Sequence, residues 1–172
     1  GDGDDVFGFS VALSSDGTTA LVGALGDEDP NGERAGSAYV FEDTDGAWTQ
    51  QAKLVPEDGD SRDSFGFSMA LSSDGITALV GTSGDEDPHG EAAGSAYVFN
   101  ATDGAWTQQA KLIPEDGDGD DVFGFSVALS SDGNTALVGA LGDADPNGSR
   151  IHTAHVLSGS QCRCVPSAYR YT

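Results

Sequence analysis

FGFSVAL at residues 7–13, which opens with Phe7-Gly8-Phe9-Ser10, is the stretch that decides the fold. It returns as FGFSMAL at 65–71 and as FGFSVAL at 123–129, so the chain repeats every 58 residues without insertion. Segments 7–56 and 65–114 are nearly identical. In the numbering of the first copy, they differ only at positions 11, 18, 24, 25, 31, 34, 42, 43 and 55. A fixed period of this length predicts an array in which each repeat is one supersecondary unit.

Each repeat contains four short segments of strand character, which in the first copy are residues 7–13, 19–24, 37–41 and 47–55. Asp16-Gly17 follows the first segment and Asp45-Gly46 follows the third, and Asp-Gly between strand-like runs is a strong hairpin signal. No stretch shows a helical period over more than one turn. The repeat is therefore predicted to be a four-stranded antiparallel meander.

Four-stranded units in tandem are typical of β-propeller blades, so the predicted class is all-β. We expect blade repeat 1 over residues 1–60, blade repeat 2 over 61–118 and a partial blade repeat 3 over 119–157. A divergent tail, 158–172, contains neither the Asp-Gly turn nor the tryptophan that opens the fourth segment (Trp48 and Trp106). The third blade is therefore expected to lack a proper outer strand.

Charge excludes one class of function. The chain has 29 acidic and 7 basic residues and a formal net charge of −22. Non-specific nucleic-acid binding needs Lys and Arg to neutralise phosphates, so nucleic acid is not an expected partner. There is no long apolar run, so we expect no membrane insertion. Such a surface is typical of a soluble, salt-adapted (halophilic) protein.

The motifs FG at 7–8, LVGA at 21–24 and GSAYVF at 36–41 resemble the FG-GAP repeat. This family comprises the repeats of integrin α-chain propellers and related prokaryotic proteins, including haloarchaeal-type variants, and the resemblance covers residues 4 to about 157. It implies a larger propeller of about seven blades, on an extracellular or cell-surface protein that recognises other macromolecules. Because three blades cannot close a ring, we expect the chain to be a fragment of something longer, completed by its remaining blades, or to self-associate.

Calcium-binding members of this family carry an acidic loop between the Phe-Gly and Gly-Ala motifs. Here that connection is only SSDGT at 14–18, with one carboxylate per repeat. Calcium takes six to eight oxygen ligands, several of them acidic. The family's calcium site is therefore not carried over, and we interpret the segment as a hairpin turn.

A second acidic connection has the opening spacing of a calcium loop, with alternate oxygen donors followed by Gly32. The closing acid is missing, so we weigh weak calcium binding against a solvated turn with side-chain-to-backbone hydrogen bonds. No other cofactor is indicated. The candidate ligands are Asp27, Asp29, Asn31 and Glu33 in the first copy, Asp85, Asp87 and Glu91 in the second, and Asp143, Asp145 and Asn147 in the third.

Acids also concentrate in the connections between repeats. Because strands alternate direction in an up-and-down blade, these connections and the second-to-third loops are expected to emerge together. The sequence thus predicts an acidic ligand-binding face. Its further residues are Asp58, Asp60, Asp116, Asp118 and Asp120.

The sequence does not support a catalytic function, because no histidine recurs between copies. The positions of His89, His152 and His155 are occupied by Asn, Gly and Tyr in other repeats. The favoured function is non-catalytic extracellular recognition or adhesion, with a protein or glycan ligand. One alternative is a structural repeat array or spacer that binds nothing specific. Another is a propeller that supports an enzyme domain elsewhere in a longer protein.

Overall fold

The computed structural model describes residues 5–28, 32–86, 88–115, 117–143, 152–158 and 161–165, with the backbone alone for 158 and 161–165. Its strands are β1 Phe7–Leu13, β2 Thr19–Ala24, β3 Ser37–Thr44, β4 Ala47–Leu54, β5 Phe65–Leu71, β6 Thr77–Thr82, β7 Ser95–Thr102, β8 Ala105–Leu112, β9 Phe123–Leu129, β10 Thr135–Ala140, β11 Thr153–Ser158 and β12 Gln161–Val165. Within the described residues no helix is long and apolar enough to cross a membrane.

The strands form three four-stranded antiparallel sheets, with the orders β1-β2-β3-β4, β5-β6-β7-β8 and β9-β10-β11-β12. We call them blades 1, 2 and 3. The predicted all-β class and the four-stranded repeat are confirmed. The β3–β4 hairpin turns through Asp45 at φ 56° and Gly46 at φ 84°. Positive φ at both central residues defines the type I′ turn that Asp-Gly favours.

The third blade differs from the sequence prediction. Its outer strand was expected to be missing, yet β12, from the divergent tail, pairs antiparallel with β11. The register joins Ala154 to Val165 and Ser158 to Gln161. A strand needs backbone partners more than a particular side-chain pattern, so the loss of the Asp-Gly turn and the tryptophan did not prevent pairing.

Neighbouring blades meet through glycines. β5 lies against β2 and β3 of blade 1, and β9 lies against β6 and β7 of blade 2. A Cβ on Gly23 would stand 2.5 Å from the carbonyl oxygen of Gly66, and one on Gly81 would stand 2.2 Å from that of Gly124. The glycines of the FG and LVGA motifs therefore pack on each other across each blade boundary.

The sequence allowed two explanations for the glycine of the Phe-Gly-Phe motif. Either the innermost strand is too crowded for a side chain, or the glycine forms a simple bulge. The structure shows both at Gly66, where φ is +88° and the β5–β6 register shifts between Phe65 and Ser68. The crowding comes from the preceding blade, because a Cβ there would approach the Ser37 carbonyl oxygen to 2.8 Å.

The apolar cores lie between blades. One cluster joins Leu21 and Val40 of blade 1 to Phe65 and Tyr97 of blade 2, and the second joins blade 2 to Phe123 of blade 3. The first strand of each blade is therefore covered by the blade before it. β1 has no such cover in the described structure: Phe7 is 59% exposed, whereas Phe65 and Phe123 are fully buried.

Contacts between β1, β5 and β9, and between the turns that follow them, recur with the sequence period. Ser15 N donates to Ser73 O at 3.1 Å, and Ser73 N donates to Ser131 O at 2.9 Å. The rings of Phe9 and Phe67 lie 5.3 Å apart, as do those of Phe67 and Phe125. The repeat in sequence is thus a repeat in packing.

Candidate functional site

The turn at the family's usual calcium loop is closed by its own aspartate. Asp16 Oδ1 accepts hydrogen bonds from Ser14 Oγ at 2.7 Å, from Thr18 N at 3.0 Å and from Thr18 Oγ1 at 2.9 Å. The bond from the Ser14 hydroxyl is the main cause that lowers the pKa of this carboxyl. One carboxylate engaged within its own turn does not provide a calcium site. The residues here do not fit that ion.

Asp27, the first residue of the second acidic loop, turns into blade 1 and is buried. Its Oδ2 accepts a hydrogen bond from the Tyr39 hydroxyl and lies 3.0 Å from Lys53 Nζ. Burial raises the pKa of the Asp27 carboxyl, but the bonds from Tyr39 and Lys53 outweigh it and hold that pKa below the ordinary value. A calcium ion bound through this oxygen would have to displace Lys53.

The same arrangement recurs in blade 2 around the buried Asp85. Its Oδ2 lies 2.8 Å from Lys111 Nζ and accepts hydrogen bonds from Ser95 Oγ and Tyr97 OH. Burial and the charge of Asp85 together raise the pKa of Tyr97, which keeps its hydroxyl a donor. The chain's two lysines are thus internal counter-ions for the loop aspartates.

Blade 3 holds Asp143 differently. Thr153 Oγ1 donates to Asp143 Oδ2 at 2.6 Å, and His155 Nε2 lies 3.8 Å from the same oxygen. His155 is buried in the position of Tyr39 and Tyr97 and stacks edge-on against Phe123. The residue opposite His155 on β12 is Cys164, where blade 2 has Lys111 opposite Tyr97, so the lysine is lost together with the tyrosine.

Between blades 1 and 2 the linker carboxylate of Asp58 joins the blade 2 network. It accepts from Lys111 Nζ at 2.9 Å and from Tyr97 OH at 3.0 Å. Burial works to lower the pKa of Lys111, but the bonds to Asp58 and Asp85 prevail and raise it. Lys111 therefore ties the linker to the blade that follows.

Further along each linker a buried aspartate folds the backbone. Asp63 accepts from Asp60 N at 2.6 Å, and Asp121 accepts from Asp118 N at the same distance. Burial is the main cause that raises the pKa of Asp63 to about 6, and the nearby charges of Asp85 and Asp60 add to it. Sequence reasoning placed both residues in the acidic linkers but did not predict this structural role, although both recur at the 58-residue spacing.

The remaining candidates divide into exposed carboxylates and residues outside the described part of the chain. Glu33, Asp60, Glu91, Asp118 and Asp120 are exposed. Asp29, Asn31, Asp87, Asp116, Asp145 and Asn147 lie outside the described residues. Among the residues that the structure does describe, no three Asp, Glu, His or Cys side chains form a group able to hold a metal ion. Weak calcium binding at these loops stays a prediction.

Loop and linker are joined by backbone hydrogen bonds at both blade boundaries. Arg62 N donates to Glu33 O at 3.0 Å, and Asp120 N donates to Glu91 O at 2.9 Å. A Cβ on Gly32 would meet Ser61 Oγ at 2.2 Å, which shows how closely the first pair packs. Each second-to-third loop therefore lies beside the linker that follows its blade.

Repeated four-stranded blades that bury their first strand against the preceding blade define a propeller-type repeat protein. The FG-GAP repeat family matches residues 1–41, 48–99 and 106–157, and the chain belongs to that family. The second and third matches each begin near the outer strand of one blade and end in the third strand of the next. They therefore include the linkers that hold the blades together. A search of curated proteins found no match to the chain.

Proposed function

We propose that the chain is part of a non-catalytic, extracellular recognition or adhesion module, and that its acidic loops and linkers form the binding face. Membership of the FG-GAP repeat family supports an extracellular location, since these repeats are typical of extracellular proteins. The module acts by presenting fixed groups on a rigid array rather than by chemistry.

The observation that carries the proposal is the pairing of loop with linker at each boundary. The bonds Arg62 N to Glu33 O and Asp120 N to Glu91 O hold two acidic connections side by side. The side chains of Glu33 and Asp60 are exposed at the first boundary, and those of Glu91 and Asp118 at the second. Carboxylates fixed at a 58-residue spacing suit a partner with repeated contacts.

The partner's chemistry follows from the charge. A chain of formal net charge −22 attracts cationic groups and repels anionic ones. Basic protein segments and amine-bearing sugars therefore fit this face better than acidic polymers do. Such contacts are weakened by salt, because exposed charges are screened within about 10 Å at 0.1 M ionic strength.

Two probes test the proposal by surface plasmon resonance, an Arg/Lys-rich dodecapeptide and a chitosan oligosaccharide. The triple variant Glu33→Gln, Asp60→Asn, Glu91→Gln is compared with a control of equal charge change, Glu42→Gln, Asp45→Asn, Asp103→Asn, whose sites are also exposed. We expect binding of one probe to fall several-fold in the first variant and to persist in the control. An equal loss in both variants would indicate attraction to total charge alone. No binding of either probe would favour the spacer alternative.

A further inference from the structure

The linker between blades 1 and 2 contacts Tyr97, Gln108 and Lys111 of blade 2. We call these three residues the receptor. Pro56 is fully buried. Glu57 N donates to Gln108 Oε1 at 3.0 Å, and the Asp58 carboxylate accepts from Lys111 and Tyr97. The receptor thus binds a backbone N–H and a carboxylate of a turn that directly follows a buried proline.

Blade 1 carries the same receptor residues in the same register. Tyr39 lies opposite Lys53, as Tyr97 lies opposite Lys111. Phe41 lies opposite Gln50, as Phe99 lies opposite Gln108. Lys53 Nζ stands 5.7 Å from the centre of the Tyr39 ring, and the corresponding distance in blade 2 is 5.4 Å.

Within the residues that the structure describes, this receptor is open on blade 1. A groove of about 390 Å³, which we call the blade-1 groove, is lined by Asp5, Phe7, Ala24, Tyr39, Phe41 and Gln50. Gln50 is exposed where Gln108 is half-buried. Phe7 forms edge contacts with Tyr39 and Phe41 like those of Phe65, but without the cover that buries Phe65. A groove of this size, lined by aromatic rings and lying beside a lysine, suits a segment in which a proline is followed by a carboxylate.

We propose that the blade-1 groove binds a Pro-Glu-Asp segment in the turn conformation of residues 56–58, the outgoing linker of another FG-GAP repeat. Gln50 receives its backbone N–H, Lys53 and Tyr39 receive its aspartate, and Phe7 and Phe41 pack against its proline. The site is independent of the exposed acidic loops, so its failure would leave the proposed binding face untouched.

A second copy of this chain, docked through its third blade, is a poorer occupant. Gly36 and Gly94 adopt φ of +84° and +80°, and a Cβ at either would lie within 2.4 Å of the carbonyl oxygen of the next blade's Phe65 or Phe123. Position 152, which aligns with them in the third repeat, is His152. The glycine that admits the next blade at the other two boundaries is therefore absent from the third repeat.

The direct test adds a synthetic peptide of residues 53–60, KLVPEDGD, to the full chain and follows amide NMR shifts. We expect saturable shifts at the Gln50 side-chain amide and along β1. A peptide with Asp58→Asn should bind about tenfold more weakly, because it lacks the charged acceptor. The chain variants Gln50→Ala and Lys53→Met should weaken binding, and the neighbouring Gln51→Ala should not. Shifts that persist in Gln50→Ala and Lys53→Met would overturn the proposal.

A second experiment fuses the linker segment to the chain, so that occupancy of the groove no longer depends on the affinity of a free peptide. Residues 47–58 are copied directly before Gly1, which aligns with Gly59, so the added aspartate falls in register with Asp58. We expect a higher Tm than for the same extension with Pro56→Gly and Asp58→Asn in the copied segment. Equal Tm values for the two extensions, with no peptide shifts, would refute the site. Concentration-dependent broadening at β1 without peptide would instead identify a second copy as the occupant.

Discussion

At the scale of single residues, the main finding is that the aspartates closest to a calcium-loop pattern serve the blade itself. Asp27 and Asp85 are buried and paired with the chain's two lysines. The sequence contained a signal for this. Asp, Tyr and Lys recur together in blades 1 and 2, and in the third repeat Lys and Tyr are lost together. Composition alone could not reveal it, because the contact depends on the cross-strand register of Tyr39 with Lys53.

Lys111 should matter more to stability than its equivalent Lys53. Lys111 bridges the buried Asp85 and the linker Asp58, whereas Lys53 pairs with Asp27. We expect Lys111→Met to lower the free energy of unfolding by on the order of 3 kcal/mol, because it removes the counter-ion of the buried Asp85 and also releases the linker Asp58. Lys53→Met is the matched control and should cost clearly less. Urea denaturation measures both, and equal costs would contradict the bridging role.

Because of Asp63, the free energy of unfolding should fall as the pH rises. Its pKa in the folded protein is about 6, above the ordinary value of 3.8. The folded state therefore binds this proton more tightly than the unfolded state does, and protonation of Asp63 stabilises the fold. This stabilisation is fully present below pH 4 and is lost as the pH rises through 6. Asp63→Asn should remove that slope and raise the free energy of unfolding at pH 7 by on the order of 3 kcal/mol. Urea midpoints between pH 4 and 7 test this. The exposed Asp45→Asn is the control, and a slope unchanged in Asp63→Asn would contradict it.

At the scale of strands and turns, local chemistry predicted the elements well. Two strands, 7–13 and 19–24, have the predicted bounds, and the Asp45-Gly46 turn has positive φ at both residues, whereas in the Asp16-Gly17 turn only the glycine does. The third strand is longer than predicted, to Thr44, because the β3–β4 pairing runs to the turn itself. β12 was missed, since its residues share no pattern with the earlier outer strands.

Glycines at blade boundaries should be far less replaceable than glycines in turns. Gly46→Ala should cost about 1–2 kcal/mol for its left-handed conformation, since no atom lies within 4 Å of the added Cβ. Gly36→Ala has the same φ penalty and also drives a Cβ to 2.4 Å from Phe65 O, which adds roughly 1–3 kcal/mol or more. Thermal unfolding of the two variants checks this, and equal losses would mean that the blades do not pack through Gly36.

At the scale of the whole molecule, the charge balance should govern stability. With a formal net charge of −22, folding brings many carboxylates together, and salt screens their repulsion. The screening length shortens from about 10 Å at 0.1 M to about 3 Å at 1 M. We expect Tm to climb with potassium chloride from low to molar concentration. A flat profile would contradict salt adaptation.

We expect the three sequence repeats to pack as successive blades around one axis, with β1, β5 and β9 innermost. Spin labels at Thr18, Ile76 and Asn134 test it most directly, because these equivalent turn positions are exposed and already differ in sequence. Cys162 and Cys164 are replaced by serine, and distances are measured by double electron–electron resonance. We expect equal 18–76 and 76–134 distances, with 18–134 clearly shorter than their sum. Unequal neighbouring distances, or an 18–134 distance equal to the sum as in a straight stack, would contradict the propeller arrangement.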